Sequence, residues 1–206
     1  LSDPAGGFYA SQDADVTPDD EGGYFTWTEE EFKKQLDPDE YALLSTHLLH
    51  DRGSMHHDPA KKVLSSAGSP QELAARLGKN AEQVDRIIQN GKNKLLAART
   101  QRETPFIDTT LYTSLNGMLI ASYFHAFSVI GNEESRTFAV QSLERILNER
   151  LINGRLYHTA NITAVLDDYV HLIDALIAGY EATAASRYLA LADELMAACV
   201  EKFHDP

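Results

Sequence analysis

Only one cysteine, Cys199, and one tryptophan, Trp27, occur among the 206 residues. A lone thiol excludes a disulfide framework, a thiolate zinc site and a CxxC redox pair. Thiol usage of that kind predicts a reducing, cytoplasmic compartment over secretion. Cations are scarce as well: 18 Lys and Arg stand against 31 Asp and Glu, for a net charge of −13. Nucleic-acid grooves and anionic membrane surfaces need clustered Lys and Arg, so neither partner is expected. No apolar run approaches the roughly 20 residues that span a bilayer. A P-loop, a Rossmann glycine fingerprint and a serine elbow are all absent, and no cofactor or metal is expected. What the chain does have is 43% apolar residue types, enough to bury a sizeable core in one domain, 1–206.

Punctuation along the chain predicts a mostly α protein. Gly and Asp crowd the first ~28 residues, with short extended pieces at Phe8–Ser11 and Tyr24–Trp27. Thr28 followed by Glu31 reads as a capping box that starts a helix through Leu36. Asp37-Pro38 opens a second helix, Ser69-Pro70 a third that ends at Gly78, and Asn80 caps a fourth to about Arg102. Residues 1–68 are therefore loop-rich with short helices, and 69–104 form a helical pair. Beyond Pro105 the character changes. Thr110–Ile130 is apolar around most of its girth and belongs inside, and Glu133–Leu151 suits an amphipathic return helix.

The arrangement then recurs. Leu115 matches Leu166, Ser135-Arg136 matches Ser186-Arg187, and Phe138-Ala139 matches Leu189-Ala190, an offset of 51. Phe127 with Ile177, and Ile130 with Tyr180, fit better at 50. Residues 105–206 thus read as two repeated helical hairpins, each a buried helix, a short turn and a return helix. A repeat of ~50 residues built from two helices points to stacked or circularly arranged α-hairpins.

Three stretches carry a family resemblance. They are Gly7-Phe8-Tyr9 with Asp13-Ala14-Asp15 and Tyr24-Phe25-Thr26-Trp27-Thr28; Thr113 through Ile120; and Leu166-Asp167-Asp168-Tyr169 running to Tyr180-Glu181-Ala182-Thr183. In that order they resemble the DUF255 family of thioredoxin-domain-containing, spermatogenesis-associated protein 20-like proteins. The resemblance implies a helical region similar to the six-hairpin (α/α) toroids of glycosidases and N-acylglucosamine 2-epimerases, preceded by a thioredoxin-like domain that lies outside this chain. With about eight helices where a toroid needs twelve, the chain would hold half to two-thirds of one. The match departs at Thr109, Thr110 and Leu115, where the family pattern has an acid, a Lys and a Trp. An activity that depends on those groups would be altered here.

Candidate chemistry centres on the repeat. Asn116-Gly117 and Asp167-Asp168 fall at equivalent starts of the two buried helices. In a toroid those ends line one mouth, which would gather Asp108, Asn116, Asp167 and Asp168, with Tyr112, Tyr169 and Trp27 as platforms for a sugar ring. Two carboxylates flanking a glycosidic bond suffice for acid–base hydrolysis, so Asp168, Asp167 and Asp108 are the catalytic candidates. The plainer alternative makes Asp167 a helix cap and Asn116-Gly117 a packing site. Asp13 and Asp15 alternate on one side of an extended segment, where they suit a pocket rim or a cation. His171 lies one turn beyond Asp167 as a core residue or a pocket acid–base group, and His158 can reach the same mouth. His56-His57 reads as surface, because adjacent histidines seldom converge on one ion, and Cys199 as packing.

Two functions remain in view. One is a glycosidase- or epimerase-like pocket with a carbohydrate ligand. The other is a non-catalytic scaffold that positions the thioredoxin-like domain or a protein partner. Open toroid faces would also favour a homo-oligomer.

Overall fold

Helices begin where the sequence supplies caps. The computed structural model describes residues 1–205. Glu31 N–H donates to the Thr28 hydroxyl at 3.2 Å, and Glu31 accepts from Thr28 N–H at 2.9 Å, opening α1 (Glu29–Gln35). Asp37 and Pro38 open α2 (Pro38–Leu48). The Ser69–Glu72 capping box opens α3 (Pro70–Leu77), which stops at Gly78 in the left-handed conformation, φ 61°. Asn80 caps α4 (Ala81–Arg99). Each such cap contributes roughly 0.5–2 kcal/mol. The chain is mostly helical, as its sequence predicts, and its strands are two residues long.

The chain divides into two compact units. One, Asp13–Phe106, holds α1 to α4 and an antiparallel pair, β2 (Thr26–Trp27) with β3 (Lys62–Val63). Phe32, Leu44, Val84 and Ile88 are its fully buried centre. Gly91 lets α4 close on α2, since a Cβ there would fall 2.5 Å from Leu44 Cδ2.

The other unit joins Leu1–Gln12 to residues from Ile107 onward. β1 (Ser11–Gln12) pairs antiparallel with β4 (Ile107–Asp108). Next come α5 (Thr113–Ile130), α6 (Glu133–Arg150), a β5–β6 hairpin (Leu151–Ile152, Arg155–Leu156), α7 (Leu166–Thr183) and α8 (Ser186–Phe203). This grouping differs from the single domain that the sequence suggests. The first twelve residues lie on α5 and α6, held there by Asn116, Ser142 and Arg145.

The repeat is real, but its register is not 51. All four of these helices are 18 residues long, and α7–α8 follows α5–α6 at an offset of 53. Both hairpins turn on two residues, Gly131-Asn132 and Ala184-Ala185, and the first of each is left-handed (φ 68° and 56°). So short a link forces the paired helices antiparallel. Neighbouring first helices run parallel instead. Ser114 meets Asp168, Gly117 meets His171, and Phe124 meets Gly179. Nor is α5 buried all round, for Met118, Val129 and Ile130 are exposed.

Candidate functional site

Four N–H groups at a helix start have no partner within the helix, and that need organises the site. Asp168 sits at the third position of α7, fully buried. Its carboxylate accepts from Val165 N–H at 2.8 Å, which closes its own helix start. It also accepts from Ser114 N–H at 2.9 Å, in the first turn of the neighbouring α5. A third contact, at 2.9 Å, joins it to His158 Nδ1. One carboxylate thus serves two helix N-termini and orients an imidazole, where the two macrodipoles favour negative charge. Both carboxylate oxygens are thus engaged by groups of this chain, Oδ1 by Ser114 and His158 and Oδ2 by Val165 and His158.

The loop between hairpins completes the latch. His158 C=O accepts Thr113 N–H at 3.0 Å, and Tyr157 C=O accepts the Thr113 hydroxyl at 2.6 Å. The half-buried Tyr112 ring lies 5.0 Å from the His158 ring. Asn116, fully buried, accepts Phe8 N–H at 2.8 Å and donates to Phe8 C=O at 3.1 Å and Tyr112 C=O at 2.9 Å. Gly117 beside it is a close-packing position, since a Cβ would lie 2.6 Å from the His171 carbonyl.

Asp168, Asn116 and Tyr112 therefore come together, with His158 among them. The other expected residues have different places. Asp167 is exposed at the helix start and is not the N-cap, a position held by Val165. Asp108, in β4, accepts Thr110 N–H at 2.9 Å, and its hydrogen bonds with Thr110 hold its carboxyl below the ordinary range. A depressed carboxyl is the reverse of what a general acid requires. Tyr169 is buried against Phe203, with its hydroxyl taken by Lys202, so it is no platform for a sugar. His171 is half-buried on α7, its backbone against Gly117.

Asp13, Asp15 and Trp27 belong to the unit Asp13–Phe106. Trp27 is core there, edge-on to Phe32 and covered by the Arg102 guanidinium 4.1 Å from its ring centroid. Asp15 is spent on its own loop, accepting Gly22 N–H at 2.7 Å, while Asp13 is exposed. Glu21, His56 and His57 bring one ligand atom each within 4.8 Å of one another on the surface, so the adjacent histidines do converge. Sequence reasoning missed that convergence because Glu21 is distant along the chain. It underweighted His158 for a related reason: its partner Asp168 lies across a loop.

Two helical hairpins of equal length, joined by a shared carboxylate cap, define the unit that holds the candidate site in a mostly α protein. Among the described residues no helix is long and apolar enough to cross a membrane. No family model matches the chain. It is similar to human spermatogenesis-associated protein 20, 26% identical over 227 aligned residues that cover 92% of this chain and 29% of that protein. It is also 29% identical to the uncharacterized protein B0495.5 of Caenorhabditis elegans, over 98% of this chain and 32% of that one. The mouse spermatogenesis-associated protein 20 is 27% identical over the full chain and 31% of its own length. The chain spans about three-tenths of these relatives.

Proposed function

We propose that the chain is a non-catalytic helical scaffold, built to hold a protein partner or a neighbouring domain such as a thioredoxin-like one. The observation that carries this is the commitment of Asp168. The acid best placed for catalysis is fully buried and saturated by Val165, Ser114 and His158. Asn116 is likewise consumed by Phe8 and Tyr112. Polar groups that bind a ligand keep valences free for it, whereas these hold two hairpins and the N-terminal segment together.

A second function is favoured by His158 alone. Its imidazole is about a quarter exposed, and an Nδ1–H given to Asp168 turns Nε2 into an acceptor. Beside the Tyr112 ring, such a group suits proton transfer on a sugar in an epimerase- or glycosidase-like pocket. The deciding experiment is thermal shift and calorimetry against a saturating library of mono- and oligosaccharides, with His158→Gln as control. The scaffold gives neither a shift nor turnover. A sugar that raises the melting temperature of the wild type but not of His158→Gln would establish the carbohydrate function and sink the scaffold.

A further inference from the structure

Two loops of the unit Asp13–Phe106 meet at Gly22 and Met55, where a Cβ built on the glycine would lie 3.6 Å from Met55 Cε. Each of these residues adjoins a metal-ligand type, Glu21 on one loop and His56-His57 on the other. Both loops are tied down. Gly22 N–H donates to the Asp15 carboxylate at 2.7 Å, and Gly22 C=O accepts from Phe25 and Thr26 N–H at 3.0 Å. Met55 N–H donates to Lys61 C=O at 2.9 Å, and Ala60 N–H to the Asp58 carboxylate at 3.0 Å. The side chains held between these ties converge, with one ligand atom from each of Glu21, His56 and His57 within 4.8 Å of the other two. Glu21 lies against His57 Nδ1. The two imidazoles stand edge to face, their planes 82° apart and their centroids 5.1 Å apart.

We propose that Glu21, His56 and His57 form a binding site for a zinc-class divalent ion, a role independent of the scaffold. Two imidazoles and one carboxylate suit Zn²⁺, Co²⁺, Ni²⁺ and Cu²⁺, whereas Ca²⁺ and Mg²⁺ take oxygen ligands. Bonds of roughly 2.0–2.2 Å close the spread of ligand atoms with about 1 Å of side-chain movement, which these surface residues are free to make. Three protein ligands leave a tetrahedral ion one position for water or for a group brought by a partner. Between Glu21 and His57 the ion replaces the imidazole proton, which goes to solvent. Local charge favours the exchange. Residues 13–23 and 55–61 hold six carboxylates against one Lys, Lys61, and a field of that sign concentrates cations. Acids alone would not select among divalent ions; the imidazoles do.

Calorimetry of the full chain against ZnCl₂ tests the site. The wild type should bind one Zn²⁺ with a Kd of about 10 µM or tighter, and Ca²⁺ in large excess should not displace it. Glu21→Gln, His56→Gln and His57→Gln should each weaken binding at least about tenfold, the loss that removal of even an outer partner of a metal brings. Asp19→Asn, at an exposed acid of the same loop, should change the affinity less than about twofold, because its charge is screened by solvent. Co²⁺ supplies a readout of the ligands themselves. It should show the visible d–d bands of a four-coordinate ion, without the near-ultraviolet band of a thiolate, since Cys199 is buried in the other unit. All four variants change exposed residues, so without metal their melting temperatures should stay within about 2 °C of the wild type. Weaker Zn²⁺ binding than expected, or displacement by Ca²⁺, overturns the proposal. So do ligand variants that bind Zn²⁺ as the wild type does, which would put the ion on other histidines.

Discussion

Asn116→Ala separates a structural clamp from a ligand residue more sharply than any other single change. The wild-type side chain makes three hydrogen bonds within a fully buried site. Tyr112 C=O keeps a second partner, the Asn116 backbone N–H at 3.0 Å, so its loss is small. Phe8 N–H and C=O both lose the amide, and each buried orphan costs about 1–3 kcal/mol. If the segment stays in place the total is therefore about 2–6 kcal/mol, less a few tenths for the better helix former. If it peels away, water satisfies the backbone but the Phe8 ring leaves the core, worth about 1.5–3 kcal/mol. The two routes overlap at a loss of about 2–3 kcal/mol. Urea titration followed by far-UV circular dichroism measures it, and faster amide exchange at Phe8 locates it. A loss below about 0.5 kcal/mol with Phe8 still protected would refute the clamp and return Asn116 to the list of ligand residues.

Three further changes probe the same unit. Asp168→Asn keeps the shape but turns an NH2 toward one of three N–H groups, and should cost about 2–4 kcal/mol in urea; His158→Gln, which spares both helix caps, should cost about 1 kcal/mol. A neutral Asp168→Asn would mean that the carboxylate is not the shared cap. Gly117→Ala gains about 1 kcal/mol of helix propensity but drives a methyl to 2.6 Å from the His171 carbonyl; overpacking of this kind costs about 1–3 kcal/mol. A net loss with a lowered melting temperature is expected, and a more stable variant would contradict the close α5–α7 contact. The hydrogen bond from Arg145, with that from Ala5 N–H, lowers the Asp3 carboxyl from 3.8 to about 2. A lowered folded value stabilises above the unfolded one, so the contribution of Asp3 is complete above pH ~4 and fades as the pH falls toward 2. Acid titration of Asp3→Asn beside the wild type should show a shallower loss in that window, and parallel curves would remove Asp3 from the acid response.

Local signals were legible in the sequence. Thr28 with Glu31, Asp37-Pro38, Ser69-Pro70 with Gly78, and Asn80 all mark helix boundaries that the structure keeps within a few residues, because a cap is a contact between near neighbours. Side-chain duty was not legible in the same way. Asp168 looks like a pocket acid when α7 is viewed alone, since its own helix needs only one acceptor. Its other two partners, Ser114 and His158, lie 54 and 10 residues away. Aromatic platforms misled for the same reason. Trp27 and Tyr169 look available in sequence, and each is closed off by a cation from a distant position, Arg102 and Lys202.

The register of the repeat shows most clearly what packing preserves. Matching letters favours 51, because Ser135-Arg136 and Ser186-Arg187 coincide there. In the structure Ser135 is the third residue of α6 and Ser186 the first of α8, so that identity joins unrelated positions. At 53 the letters differ more, yet burial agrees: Ile120 with Ile173 and Ala139 with Ala192 are all core. A helix interface constrains size and polarity at each lattice point and is indifferent to the name of a surface residue. The correct register is therefore the one that aligns what is covered.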